Sequence, residues 1–444
     1  MLNLSTKSIL KVTVPIMLGT FIQNIVLITD SILVNKLGTV DFGAANNAGL
    51  LYVIFFMVLR GMGDGTQIQI AKEYGQHKLE SIKHTLSNSF LLQFGLSCII
   101  FAFLFFFKDY FLKLFVNSDH IRIKMVAFLD YRSWGIFFAG LQVSLISFYI
   151  GIGKTKIIIV STLLLAISNI FLDFGLIFGY FGFPKMGLEG AALASTISEA
   201  ITFIFLFSNL IINADYAEFG FAPLKEKLVT YKTKLLLKLS SPLMVRGFIS
   251  LGTWFVFFSL IEQMSESDLE TAHVVRNLFF LTFIPIFGFG SSTRTYVSYF
   301  NGRQEYKSIK FAQKKLIGLA VLFYLIIFHG ALLYPKYMVR LITENESIVD
   351  SAAQILVIVF WSMLLYSVVN IFYNTVSALG KTLLALWIEV VAIILYLWST
   401  YLVILKWKWN IVDIWYVEFI YFTTIGVLSI SYLIYYNKKR LKHE

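Results

Sequence analysis

The sequence has little of what a secreted or catalytic domain needs. Cys98 is the only cysteine among 444 residues, so no internal disulfide bond can form. The six histidines show no spacing typical of a metal site. No nucleophile triad, metalloprotease motif or nucleotide-binding motif is present either. These absences argue against an enzyme, and we expect no cofactor.

Charge is also scarce, since 14% of the residues are charged and 58% are hydrophobic. A soluble globular protein does not need such a composition. Apolar segments of about 20 residues recur along the chain, and each could cross a ~30 Å hydrocarbon layer as a helix. The sequence therefore predicts an all-α membrane protein with twelve transmembrane helices, at residues 9–33, 45–70, 86–107, 126–150, 157–180, 187–212, 236–260, 271–298, 315–333, 353–377, 382–405 and 411–436.

Lysine and arginine are unevenly distributed between the predicted loops. The two termini and the loops after even-numbered segments hold more of them than the other loops, including Lys225, Lys227 and Lys438-Lys439-Arg440. Because cytoplasmic loops are enriched in these residues, both termini are expected in the cytoplasm of a bacterium, with the chain in its plasma (inner) membrane. The net charge of +11 then reports membrane topology. It does not indicate a nucleic-acid surface.

The chain repeats itself at an offset of 227 residues. The matched pairs are Pro15 and Pro242, Gly61 and Gly288, Trp134 and Trp361, and Gly153-Lys154-Thr155 and Gly380-Lys381-Thr382. Matches of Gly, Pro, Trp and Lys in one register indicate a duplicated unit. Each copy has an even number of helices, so the copies enter the membrane from the same side as parallel repeats.

The duplication predicts two pseudo-symmetric six-helix lobes. Residues 1–212 form the amino-terminal lobe, residues 213–235 a cytoplasmic linker, and residues 236–444 the carboxyl-terminal lobe. Pro15 and Pro242 lie within the first helix of each lobe. Because a proline removes a backbone hydrogen bond, both are predicted hinges.

Two aspartates of the amino-terminal half lie where lipid would surround them. Asp30 and Asp173 each precede the outer end of a predicted helix by a few residues. A rise of about 1.5 Å per residue places both carboxylates at a similar depth. Asn169 is one turn away from Asp173, and Ser195 or Thr196 lies at a comparable level. Such a cluster of oxygens suits a proton or a sodium ion, whereas the alternative is that both acids serve the fold.

Further polar residues lie inside the predicted helices with less certain roles. Gln23 and Asn24 precede Asp30 by about two turns. Glu199 has no obvious local partner and is a third candidate for titration. Arg246 either lines the cavity or extends its charge toward the membrane surface.

For the other charged residues inside predicted helices, the sequence either favours a structural role or does not decide between a structural and a functional role. Arg60 and Asp64 are four residues apart and can pair within one helix. Glu389 and Glu418 are the deep acids of the second half, and they could contact each other or Arg246.

Several stretches resemble the multidrug and toxic compound extrusion (MATE) transporters. They are residues 15–38, residues 61–75, Asn169 to Asp173 with the following residues through Ser195, and both Gly-Lys-Thr turns. The resemblance implies two six-helix lobes around a V-shaped cavity that opens alternately to either side. It also implies export of amphipathic, often cationic, compounds in exchange for inward sodium or protons.

The resemblance also implies a set of ion-coupling residues. Asp30, Asn169 and Asp173 match the family's cation site, and the hydroxyl group of the sixth helix is Ser195 or Thr196. Some members carry acids in the tenth helix, where this chain has Asn370 and Asn374. A second cation site in the carboxyl-terminal lobe is therefore not expected.

Two rival functions remain open from the sequence. A flippase for a lipid-linked oligosaccharide would need a cationic cavity, which Arg60, Arg246, Arg276 and Arg294 could supply. A channel or receptor would fit the apolar bulk but gives no reason for acids confined to one lobe. The expected partners are a small-molecule substrate and the lipid bilayer, with no nucleic acid and a monomeric chain.

Overall fold

The computed structural model describes residues 2–219 and 229–441. Residues 220–228, which include Lys225 and Lys227 of the predicted linker, lie outside this description. The described residues form helices and contain no strand. This is the all-α class that the hydropathy pattern predicts.

The long helices follow one another along the chain. They are α1 (Thr6–Asn35), α2 (Thr39–Gly75), α3 (Leu79–Phe106), α5 (Asp119–Arg132), α6 (Gly135–Gly151), α7 (Lys156–Phe178), α8 (Leu188–Ile212), α9 (Thr230–Ile261), α10 (Glu266–Gly302), α11 (Tyr306–Phe328), α14 (Glu346–Ala378), α15 (Thr382–Tyr401) and α17 (Val417–Leu441). Short helices join some of them: α4 (Lys108–Phe115), α12 (Gly330–Leu333), α13 (Pro335–Arg340) and α16 (Ile411–Ile414).

The number of membrane spans agrees with the prediction. Eleven helices of the described residues are long and apolar enough to cross a membrane. Helices α5 and α6 meet the same criterion together, as a pair bent by 51°, and the count is twelve when this pair is one span. The sequence predicted a single segment at residues 126–150, and the structure corrects this: the span starts earlier and is broken between Arg132 and Gly135.

The described chain divides into two compact units. One unit comprises residues 14–248, and the other comprises residues 1–13 and 249–444. These divisions fall inside α1 and inside α9, whereas the predicted lobes divide in the linker. The chain remains helical through Pro15 and through Pro242. The hinge role of both prolines stays a prediction.

In the first unit, the start of α9 packs closely against α2. A Cβ atom placed on Gly61 would lie 2.5 Å from the Met244 backbone, so only glycine allows this approach. Ser240 donates a hydrogen bond to the Met62 carbonyl at 3.2 Å. Lys232 forms a buried ion pair with Glu73 of α2. The beginning of the seventh span is therefore part of the amino-terminal core.

The second unit makes the corresponding contact with the start of α1. Ser8 and Tyr296 of α10 share a hydrogen bond of 3.1 Å, and Thr13 and Ser292 share one of 2.7 Å. Thr13 and Ser240 are 227 residues apart, as are Ser292 and Gly65 of α2. The two copies therefore use equivalent positions for equivalent helix contacts.

Candidate functional site

Three helices of the first unit bring the predicted cation-site residues together. Asp30 lies near the end of α1, whereas Asn169 and Asp173 lie on successive turns of α7. Asp173 is 1% exposed and Asn169 is 2% exposed. The carboxyl groups of Asp30 and Asp173 are close enough to influence each other's charge.

The oxygens of this cluster lack hydrogen-bond donors. Asp30 Oδ1, both carboxyl oxygens of Asp173 and Asn169 Oδ1 are buried and accept no hydrogen bond from the residues that the structure describes. Two ionised carboxylates are both acceptors, so they can hydrogen-bond to each other only when one carries a proton. A buried acceptor without a donor is costly. The set therefore fits a proton or a cation ligated by oxygen.

The structure separates the two hydroxyl candidates on α8. Ser195 Oγ accepts a long hydrogen bond of 3.4 Å from Asn169 Nδ2. Thr196 Oγ1 instead donates to the Tyr131 carbonyl on α5, at 3.1 Å. Ser195 thus joins the cluster, whereas Thr196 ties α8 to the end of α5.

Glu199 has the partner that the sequence did not reveal. Its carboxylate forms two hydrogen bonds with the Arg132 guanidinium, of 2.6 and 2.8 Å, and accepts one from Tyr52 at 3.1 Å. Arg132 also lies over the Tyr52 ring, 3.7 Å from its centroid. Glu199 therefore has an ion-pair partner on α5 that its own helix did not suggest. Its role as a third titrating group stays a prediction.

Arg132 is the main residue that sequence reasoning missed. It lies within the predicted span at residues 126–150, so it could have been noted as an ionisable residue inside the membrane. Gly135 explains part of its placement, because a Cβ atom there would lie 2.2 Å from Arg132 Nη1 and 2.4 Å from Glu199 Oε2. The break between α5 and α6 thus accommodates this buried pair.

The other candidates of the first unit lie apart from the acid pair. Gln23 is exposed and Asn24 is half-buried. Within the described chain, neither side chain forms a hydrogen bond. Asp64 forms an ion pair with Arg246 of α9, with Oδ2 and Nη2 3.7 Å apart. Asp64 thus has an ion-pair partner on another helix. The spacing in the sequence had suggested a pair with Arg60 on its own helix.

Asn370 and Asn374 of α14 have structural partners in the second unit. Asn374 Oδ1 accepts a hydrogen bond of 2.7 Å from Arg294 of α10, and Asn374 Nδ2 donates to Asn370 Oδ1 at 2.7 Å. Asn370 Nδ2 donates to the Ile286 carbonyl at 2.9 Å. Both amides therefore bind α10, and a cation there would compete with a buried guanidinium.

Glu389 and Glu418 form two separate contacts between α15 and α17. Glu389 accepts hydrogen bonds from Tyr421 at 2.5 Å and from Ser250 at 3.0 Å. Glu418 accepts one from Tyr396 at 2.9 Å. Each helix thus supplies a carboxyl group to the other helix's tyrosine. The sequence had left open whether the two acids contact each other or Arg246.

Fold and site together define a class. The chain is a multi-pass helical membrane protein of two homologous halves, with a buried cluster of acidic and amide oxygens in the amino-terminal half. The MatE family model matches it twice, at residues 15–175 and at residues 242–402. Both bounds shift by 227 residues, the offset of the internal repeat. The chain belongs to the MatE family.

Curated and solved relatives agree with this assignment. The probable multidrug resistance protein NorM of Thermotoga maritima is 24% identical over 78% of this chain and 74% of its own length. An outward-facing multidrug resistance MATE family transporter of the MOP superfamily superposes with a TM-score of 0.87 at 17% identity, over 98% of this chain and 95% of that one. These likenesses show the fold.

A third relative has the same fold with another proposed role. It is a MOP superfamily transporter from Pyrococcus furiosus, for which reverse polarity of the binding pocket suggests a different function. Its TM-score is 0.84 at 17% identity, over 98% of this chain and 95% of that one. The fold alone therefore does not select the substrate.

Proposed function

We propose that this protein is a secondary active antiporter that exports amphipathic cationic compounds in exchange for inward protons or sodium ions. The supporting observation is the acid pair of Asp30 and Asp173, whose buried oxygens have no hydrogen-bond donor. Family membership supports transport, and the multidrug resistance names of the relatives support an exported drug-like substrate. The membrane would be the bacterial inner membrane, with both termini in the cytoplasm.

The coupling step follows from the chemistry of two acids that share one site. With no ion bound, at most one of the two carboxyl groups is ionised cheaply, because like charges in a medium of low dielectric repel each other strongly. A proton or a sodium ion neutralises the pair, with Asn169 and Ser195 as neutral oxygen ligands for sodium. Binding then favours the conformation in which the two acids are closest.

The conformational step is assigned to α1, which carries both Asp30 and Pro15. Proline leaves one carbonyl of the helix without its usual donor, so the helix can bend at low cost near this residue. Drawing Asp30 toward α7 would tilt the outer part of α1 and narrow the space available to a substrate. Release of the ion to the cytoplasm would reverse the change.

The driving force is sufficient for accumulation. Inward movement of one charge releases about 2.3 kcal/mol per 100 mV of membrane potential. A proton gains a further ~1.4 kcal/mol per pH unit. At 100 mV and one pH unit the two contributions sum to about 3.7 kcal/mol, which supports a gradient of roughly 400-fold for an uncharged substrate, because each 1.4 kcal/mol corresponds to a factor of ten. A substrate with one positive charge leaves against the same potential, so only the pH contribution remains for it, about tenfold per pH unit.

Two arginines weigh against the rival flippase. A phosphate-bearing substrate needs cations that are available in the cavity, but Arg246 is paired with Asp64. Arg294 is 8% exposed and donates a hydrogen bond to Asn374. These charges are already engaged within the protein, which supports the antiporter over the flippase.

The acid pair is tested by ethidium efflux from cells that express Asp30→Asn or Asp173→Asn. We expect each variant to lose gradient-driven efflux, since an amide can neither release a proton nor bind sodium with a full charge. Asp119→Asn is the matched control: this acid is exposed at the start of α5, and its variant should retain efflux. Full efflux by both site variants at equal expression would refute the coupling role.

A further inference from the structure

The second unit contains a polar pocket between three helices near the end of α17. Its lining comes from α11, α14 with the residue that follows it, and α17, and comprises Tyr306, Ile309, Lys310, Gln313, Thr375, Leu379, Leu433, Tyr436 and Asn437. The cavity volume of about 20 Å³ holds about one water-sized group, such as one oxygen of a larger anion. A drug-sized molecule does not fit.

The internal repeat shows that this pocket is a specific change of one copy. Six of the nine equivalent positions in the first copy belong to one hydrophobic core cluster: Ile82, Leu86, Phe148, Ile152, Leu206 and Leu210. The other three are Leu79, Lys83 and Asn209, so the lysine is common to both copies. Leu86 is replaced by Gln313, Phe148 by Thr375 and Leu210 by Asn437 in the second copy. Three buried apolar positions have thus become polar.

Aromatic residues contact Phe148 in the first copy. The turn Ala214–Phe219 places Tyr216 and Phe219 against Phe148, with ring centroids 6.2 and 5.1 Å apart. In the second copy, Thr375 stands at the position of Phe148 and lines the pocket. Gln313 donates a hydrogen bond of 3.0 Å to Thr375, so the polar lining is ordered.

Two basic residues lie at this pocket. Lys310 lines it, and Arg440 stacks on the Tyr306 ring and lies 5.6 Å from the centroid of Tyr436. Arg440 Nη1 is buried and donates no hydrogen bond to any residue that the structure describes. Within residues 2–219 and 229–441, neither Lys310 nor Arg440 forms an ion pair. By contrast, Lys232 and Arg303 of the same chain each have a glutamate partner.

We propose that this pocket binds a phosphate group, held by Lys310 and Arg440 and hydrogen-bonded by the amides of Gln313 and Asn437. Arginine and lysine are the usual phosphate ligands in proteins, and basic pockets between transmembrane helices on the cytoplasmic side bind anionic headgroups. Apolar Leu433 and Leu379 line the same pocket beside the polar groups. A soluble phosphate compound would use the same groups.

The test is native mass spectrometry of the full chain in detergent, titrated with dioleoyl phosphatidylglycerol or dioleoyl phosphatidylcholine. We expect tighter binding of phosphatidylglycerol. Lys310→Gln and Arg440→Gln should each weaken it about fivefold, and the double variant about 25-fold, from the contribution of each cation near the surface. Equal binding of the two lipids by the wild-type chain would overturn the proposal.

Three further variants separate the pocket from general surface charge. Lys439→Gln removes an exposed cation next to Arg440 and should leave the lipid preference unchanged. Arg440→Lys keeps the charge and should retain most of the binding. Thr375→Phe restores the residue of the first copy, fills the pocket, and should abolish the preference. A loss with Lys439→Gln as large as with Arg440→Gln contradicts a defined site.

Inorganic phosphate distinguishes the two sources. If the ligand is a lipid headgroup, millimolar phosphate leaves phosphatidylglycerol binding unchanged, because the acyl chains supply much of the affinity. If phosphate itself binds and Lys310→Gln abolishes its binding, a soluble phosphate compound is the ligand. Binding of neither probe overturns the proposal. None of these binding measurements uses ethidium efflux, so their outcome does not depend on the proposed antiport function.

Discussion

At the scale of single residues, the site depends on oxygens that the fold leaves without donors. Within the described chain, the buried side-chain oxygens of Asp30, Asn169 and Asp173 accept no hydrogen bond. Nearby Glu199, by contrast, has its charge fully paired with Arg132. The same helix bundle thus pairs one carboxylate with a guanidinium group and leaves two others with oxygens that could bind an ion.

The hydroxyl groups of α8 give a direct comparison at this scale. We expect Ser195→Ala to raise the ion concentration needed for half-maximal ethidium efflux by about fivefold, because a hydrogen bond contributes ~1 kcal/mol. Thr196→Ala removes a bond to the Tyr131 carbonyl and should leave this concentration unchanged. The measurement is efflux rate against external pH or sodium. Equal shifts in both variants would contradict the assignment of Ser195.

Arg132 and Glu199 are predicted to act on stability as a pair. Arg132→Met leaves a buried carboxylate without its partner and should lower the free energy of unfolding by about 3–5 kcal/mol. The double variant Arg132→Met with Glu199→Gln should cost clearly less than the sum of the single variants. Thermal unfolding in detergent measures both.

An exposed pair serves as the control for this cycle. Lys336 and Asp350 are 2.6 Å apart at the surface, so replacing both should change stability by less than about 1 kcal/mol. Additive losses at Arg132 and Glu199 would show that the two side chains do not depend on each other.

Depth along a helix explains which site residues the sequence could predict. Asp30, Asn169 and Asp173 were identified because helix rise and helix direction place them at one level. Arg132 was missed because its position depends on the bend between α5 and α6, which local hydropathy does not reveal. The choice between Ser195 and Thr196 needed side-chain direction, since adjacent residues of a helix point to different neighbours.

At the scale of helices, close packing at Gly61 gives a testable difference within α2. Gly61→Ala would force its methyl group into the Met244 backbone, so we expect a loss of about 1–3 kcal/mol in the free energy of unfolding. At Gly43, no atom lies within 4 Å of the point that an added Cβ atom would occupy. Gly43→Ala should therefore be neutral or stabilise α2 by up to about 1 kcal/mol.

Thermal unfolding of the two alanine variants in the same detergent checks this prediction. The expected order of melting temperatures is Gly43→Ala at or above the wild type and Gly61→Ala below it. If Gly61→Ala melts with the wild type, α9 can move away from α2 without cost, and the contact is not a determinant of the fold.

Helix number and the repeat were predictable, whereas helix partners were not. The long apolar segments predict twelve spans, and the 227-residue offset predicts two copies. Neither prediction needs a tertiary contact. The first turns of α1 and α9 pack with the other copy through Thr13, Ser292, Ser240 and the glycines of α2. Their partners are distant in sequence, so no local pattern identifies them.

At the scale of the whole molecule, the coupling ion is the quantity to measure. We expect ethidium transport into inverted proteoliposomes to follow one imposed gradient, of protons or of sodium, because a single oxygen cluster binds one ion at a time. Imposing each gradient separately at fixed membrane potential distinguishes them. Equal transport with neither gradient would indicate a channel and contradict antiport.

Helix α9 also constrains how the protein is made. Residues 230–248 complete the amino-terminal unit, although they follow the linker. When the ribosome has synthesised the first six spans, the last residues of the first unit have therefore not yet been made. That unit can reach its final packing only after synthesis has continued into the seventh span, and a chain severed in the linker would leave both fragments incomplete.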